Sequence, residues 1–162
     1  MKTILSFMLF ICLLVALTAC GGSPKLNEGE RYFEGKVDFK YAESCTISYI
    51  LTPAGKKVRD TKVVIKNMKY NIPSKDGTVR ANTGWSSIYC GGGEPDKQGF
   101  LELKLKDVTL RFNNISENGA DGEMDYRHVE KGDSNRHKKA MNVSIGTFPF
   151  KTEDKTASLT AK

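Results

Sequence analysis

The chain has 162 residues, with 25 Lys and Arg against 19 Asp and Glu, and a formal net charge of +6. That length fits one domain with a core of its own. Its lysines stand singly in alternating segments (Lys36, Lys40, Lys62, Lys66, Lys104, Lys106), which reads as a solvated strand face rather than a massed basic surface; Arg136-His137-Lys138-Lys139 is the one tight basic cluster.

The first element is an N-terminal leader. Lys2 supplies a positive start, Ile4 to Ala16 an apolar run, and small residues lead into Cys20. That order matches a secretory signal. A permanent anchor fits less well, because the uncharged stretch falls short of the roughly 20 residues a spanning helix prefers and no basic stop-transfer cluster follows. Leu17-Thr18-Ala19-Cys20, followed by the Gly21-Gly22-Ser23-Pro24 break, closely resembles the bacterial lipobox. The resemblance implies that Cys20 takes a diacylglycerol and becomes the first residue of the mature protein. It implies residues 1–19 as signal peptide, 20–30 as lipidated tether and 31–162 as globular domain. Each buried methylene adds about 0.8 kcal/mol, so several acyl chains hold a protein firmly to a membrane. Gly21 stands where an aspartate would favour retention at the inner membrane, which resembles the outer-membrane pattern. No nucleic-acid partner is expected for a chain bound for the cell envelope.

The resemblance also frames the cysteines. Cys12 leaves with the signal and Cys20 is acylated, so Cys45 and Cys90 remain. In an oxidising compartment they are expected to form a disulfide, with two buried free thiols as the alternative. A bridge closing that loop would contribute roughly 4 kcal/mol in the chain-entropy model.

Beyond the tether, Tyr32 to Tyr41 alternates Phe33, Gly35, Val37 and Phe39 with charged residues, the period of a half-buried strand. Cys45, Ile47, Tyr49 and Leu51 continue on one face, and Thr52-Pro53-Ala54-Gly55 is a turn. Val63 and Ile65 keep one phase, and Met68, Tyr70 and Ile72 the other. The same shift recurs between Leu105 and Val108 and between Ile145 and Phe148. One extra residue flips a strand's faces, and a β-bulge accommodates it. Bulges or sharp bends are therefore predicted near Asn67, Asp107 and Gly146, with Phe100 to Phe112 as one long bent strand. Asp76-Gly77 signals a hairpin. Trp85 to Cys90 reads as a strand, Gly91-Gly92-Gly93 as a loop, Asn118-Gly119 and Asp121-Gly122 as turns, and Met124 to Val129, Ala140 to Phe150 and Ala157 to Ala161 as strands. The expected fold is all-β: a single antiparallel β-sandwich or small, calycin-like barrel with bent, bulged strands.

No motif for catalysis or for a cofactor stands out. His128 and His137 lack ligand spacing on one element, so no metal is expected. Ser86 and Ser87 lack a nucleophile-elbow context, and the glycine run lacks the ending of a phosphate loop. Trp85 and Tyr89, flanking a Gly91–Gly93 loop that includes Gly92, are the candidate binding surface. The expected function is a non-catalytic module that binds an envelope protein, glycan or lipid. A carrier of an apolar ligand in a barrel cavity is the alternative, and an envelope hydrolase the weaker one.

Overall fold

The computed structural model describes residues 24–69, 71–74, 77–80, 86–130 and 141–160. Ten strands form: β1 Arg31–Val37, β2 Ala42–Leu51, β3 Val58–Met68, β4 Asn71–Ser74, β5 Gly77–Arg80, β6 Ser87–Gly93, β7 Leu101–Leu105, β8 Val108–Ser116, β9 Gly119–Glu130 and β10 Met141–Asp154. A short helix, α1 Thr156–Thr160, follows.

Eight strands make one antiparallel sheet in the order β6-β3-β2-β1-β10-β9-β8-β7, and β4 and β5 pair separately as a hairpin. Around the sheet the strands therefore follow chain order, interrupted only by that hairpin. The sheet curls until β6 and β7 come together, giving a nearly closed up-and-down barrel. The base of the barrel holds the starts of β1, β3, β7 and β9; the opposite, distal end holds the starts of β2, β6, β8 and β10.

Alternation drives this closure. Phe33 and Val37 on β1, and Cys45, Ile47, Tyr49 and Leu51 on β2, all point inward and are buried. Aromatic rings fill the interior in a chain. Phe33 stacks on Tyr49 at 5.2 Å, Tyr49 meets Phe112 edge-on at 5.3 Å, and Phe112 meets Phe150 at 5.3 Å. Towards the distal end Phe39 packs edge-on against Tyr126 at 5.2 Å and Phe148 at 4.8 Å. Edge-on pairs place a ring's positive rim on its neighbour's negative face. The Tyr49 hydroxyl is satisfied within this core by Thr152 Oγ1 at 3.1 Å.

The three phase shifts resolve in three ways. Lys66 and Asn67 are both exposed before buried Met68, and Asn67 takes a left-handed backbone (φ 53°), so that Met68 returns to the core while still paired with Ala42 of β2. Gly146 (φ 144°) sits at a register shift between β10 and β9, a bulge. At Asp107 the expected single bent strand is instead a hairpin: Lys106-Asp107 is a two-residue turn, and Leu105 pairs with Val108. Two polar residues between in-phase apolar ones fit a bulge or a two-residue turn equally well. Two further readings are corrected. Asp121-Gly122 lies inside β9 rather than in a turn, and Ala157 to Thr160 lie in a helix rather than a strand. The Asp154 side chain starts that helix by accepting the Thr156 N–H at 2.8 Å.

Candidate functional site

The barrel's one unpaired junction among the described residues is the seam between β6 and β7. Near the base the strands approach through side chains. Gly91 and Gly93 face inward and lack Cβ atoms, and a methyl group there would strike Leu105 at 2.6 Å and Leu101 at 2.9 Å. The leucines of β7 thus pack onto the glycine backbone of β6. The glycine run is therefore not a loop but the end of β6, and Gly92 is an exposed strand residue set close to the Val58 carbonyl of β3.

Towards the distal end the seam opens. Ser87 to Cys90 on one side and Lys104 to Asp107 on the other line an open groove of about 500 Å³. Tyr89 was expected on a binding surface, but it points into the barrel and is buried, because its pairing with Val63 of β3 fixes its face. Its hydroxyl donates to Asp107 Oδ2 at 3.1 Å. Asp107 is only 7% exposed, and its Oδ1 has no hydrogen-bond partner among the described residues. Its backbone is locked by the Arg127 N–H, which donates to the Asp107 carbonyl at 2.8 Å. Tyr126 completes the cluster and donates to Met68 Sδ at 3.7 Å.

Burial, reinforced by the Asp107 carboxyl alongside, pushes the Tyr89 phenol up to about 12. Burial raises Tyr126 as well, with Tyr89 and Asp107 adding to it. Both phenols therefore stay protonated at neutral pH and act as fixed hydrogen-bond donors rather than nucleophiles. Among the described residues no three His, Cys, Asp or Glu side chains converge as metal ligands would.

The expected Cys45–Cys90 bridge does not form. Cys45 is a buried free thiol, so Cys90 is not bonded to it. Two strand spacings separate β2 from β6, and the register adds a three-residue offset. Together these put the Cα atoms on the order of 14 Å apart, beyond the roughly 7 Å that a disulfide spans. The residues also face opposite ways: Cys45 points inward and Cys90 outward. Burial pushes the Cys45 thiol up to about 12. Trp85 and Cys20 lie outside the described residues.

The sequence pattern marks Asp107 as a bend but gives no sign of it as a site residue. It sits in an ordinary polar step between apolar residues, and its burial depends on β6, 18 residues away.

Fold and site together define an eight-stranded antiparallel up-and-down barrel with an open seam and a buried polar cluster at the seam's wide end. No protein-family model, curated protein or solved structure matches the chain.

Proposed function

We propose that the protein is a lipid-anchored bacterial envelope lipoprotein whose barrel is a non-catalytic binding module, tethered by its base and open to a partner at its distal end. The observation that carries this reading is the seam groove, lined in part by Asp107, whose Oδ1 is buried and has no hydrogen-bond partner among the described residues. A buried polar atom without a partner costs about 1–3 kcal/mol, so a donor supplied by a ligand gains that amount on binding.

The tether supports the orientation. Arg59 Nε donates to Glu30 Oε1 at 2.8 Å, and Arg59 Nη2 donates to the Lys25 carbonyl at 2.8 Å. This clamp fixes the tether to the base of the barrel. Lys25 lies five residues past Cys20, so the acylated residue sits at most about 18 Å from it. The groove lies at the other end of β6, about 20 Å further along the strand. A base-down barrel on an outer-membrane surface therefore presents the groove to the aqueous side.

The carrier reading draws less support, because the barrel axis is taken up by the rings of Phe33, Tyr49, Phe112 and Phe150. A hydrolase draws less still, since the Tyr89–Asp107 pair holds a neutral phenol rather than an activated nucleophile.

Two experiments test the proposal. Cys20→Ala is expected to abolish acyl labelling and release the protein from membranes; attachment that persists without label removes the tether. A pull-down from envelope extract with the mature domain is expected to recover a partner that Asp107→Asn loses. Recovery of background species alone removes the binding module.

A further inference from the structure

We infer that the β6/β7 groove is a strand-addition site that takes an extended, acidic segment of a partner polypeptide. The inference rests on the binding-module reading and names its occupant.

Among the described residues β6 and β7 are the terminal strands of the sheet, so each presents one side with no strand partner. Unpaired strand edges are templates for another chain, and natural proteins usually blunt them with charge. The β7 side is blunted by Lys104 and Lys106. The β6 side is not: Ser87 to Gly93 contains no charged residue, and Ile88 is 57% exposed. An extended backbone offers N–H and C=O groups at strand spacing, which a glycan or an acyl chain does not. The β6 wall spans four strand residues, Ser87 to Cys90, about 13 Å, a length that a short extended segment covers; the facing wall runs from Lys104 and Leu105 of β7 into the Lys106-Asp107 turn.

Two further features define that segment. Asp107 Oδ1 lacks a donor, and a peptide N–H or a small hydroxyl side chain at an inward position supplies one. On the outside, the Lys104 and Lys106 side chains are exposed at the rim, and among the described residues Lys104 makes a single ion pair, a 3.4 Å contact to Glu102. Side chains on an added strand alternate in and out. The segment therefore carries acidic residues on its outward positions, against the lysines, and small donor residues on its inward ones. Main-chain pairing supplies affinity and the alternating positions supply selectivity, the division of labour seen in strand-addition complexes generally.

The test selects a displayed library of random peptides against the folded domain without its signal. Enriched sequences are expected to be acidic at alternate positions. Their binding should weaken about tenfold or more in the exposed-rim double variant Lys104→Glu/Lys106→Glu, and also on N-methylation of alternate peptide amides. Thermal melts establish that the variant is folded, and Asp107→Asn provides a second, near-isosteric probe of the groove. Hydrogen exchange at the alternate amides between Ser87 and Cys90 that point away from β3 should slow on binding. If no sequence is enriched, or if the winners are basic, or if they ignore both the rim variant and N-methylation, the inference is overturned. Capture of a glycan or lipid alone from envelope extract would likewise overturn the peptide occupant while leaving the binding-module reading in place.

Discussion

Cys45 and Glu30 show how single side chains are tuned by their surroundings. Cys45 sits among apolar neighbours, with Met124 Sδ 4.0 Å from its sulfur, and burial pushes its thiol up to about 12. The thiolate is the reactive form, so Cys45 is expected to resist a thiol reagent until the domain unfolds. Labelling in the native state at the rate of a small exposed thiol would contradict this burial. Cys45→Ser should destabilise the domain by about 1–3 kcal/mol, since it places a hydroxyl where no partner waits. Glu30 is the opposite case. Its hydrogen bonds with Arg59 outweigh its burial and hold its carboxyl at about 2, below the usual 4.5. A depressed folded value means that the stabilisation is complete above pH 4.5 and is lost as pH falls through about 2. Glu30→Gln is therefore expected to cost on the order of 2 kcal/mol at neutral pH. It should also flatten the acid limb of a denaturation profile between those two values. An acid limb identical to that of the parent would remove the clamp as a source of stability.

Among the elements, β9 depends on a close approach that no larger residue permits. Gly122 faces the core between Phe112 of β8 and Phe150 of β10. A Cβ there would lie 2.2 Å from the Arg111 carbonyl oxygen and 2.6 Å from the Phe150 ring. Gly122→Ala should destabilise by about 3 kcal/mol, the upper part of the usual range for overpacking, as read from the denaturant midpoint at unchanged slope. A neutral result would mean that β9 and β10 can part without cost. The strands themselves, their inward faces and the Gly146 bulge were readable from alternation, because period-two patterning belongs to the local chain. The β7–β8 hairpin was not. Leu105-Lys106-Asp107-Val108 has the same pattern whether the chain bulges or reverses, and only pairing with a neighbour separates the two. The residue pattern likewise left Gly91–Gly93 looking like a loop. Its role appears only when the leucines of β7 are seen packed on it.

For the whole molecule, closure of the barrel concentrates buried titrating groups in one core. Tyr49 and Tyr89 are pushed up to about 12 and Tyr126 is raised as well, in each case chiefly by burial. Raised folded values favour the protonated forms. Their contribution to stability is therefore complete below the ordinary tyrosine value of 10 and is lost as pH climbs towards 12. The domain is expected to unfold cooperatively in that alkaline window, with tyrosinate absorbance appearing together with loss of strand structure. Tyrosinate forming well before the fold is lost would show these phenols to be open to solvent.

Local alternation and backbone preference suffice for the all-β class, the inward faces of the first strands, the bend at Asn67 and the bulge at Gly146. The resemblance of Leu17-Thr18-Ala19-Cys20 to a lipobox likewise needed no fold. The folded sheet puts Cys45 and Cys90 on opposite faces two strands apart. It alone placed Tyr89 inside the barrel, and it alone brought Asp107 to the lining of a groove between strands that never pair. Those facts depend on register and on how far the sheet curls, and both are set by contacts between residues distant in the chain.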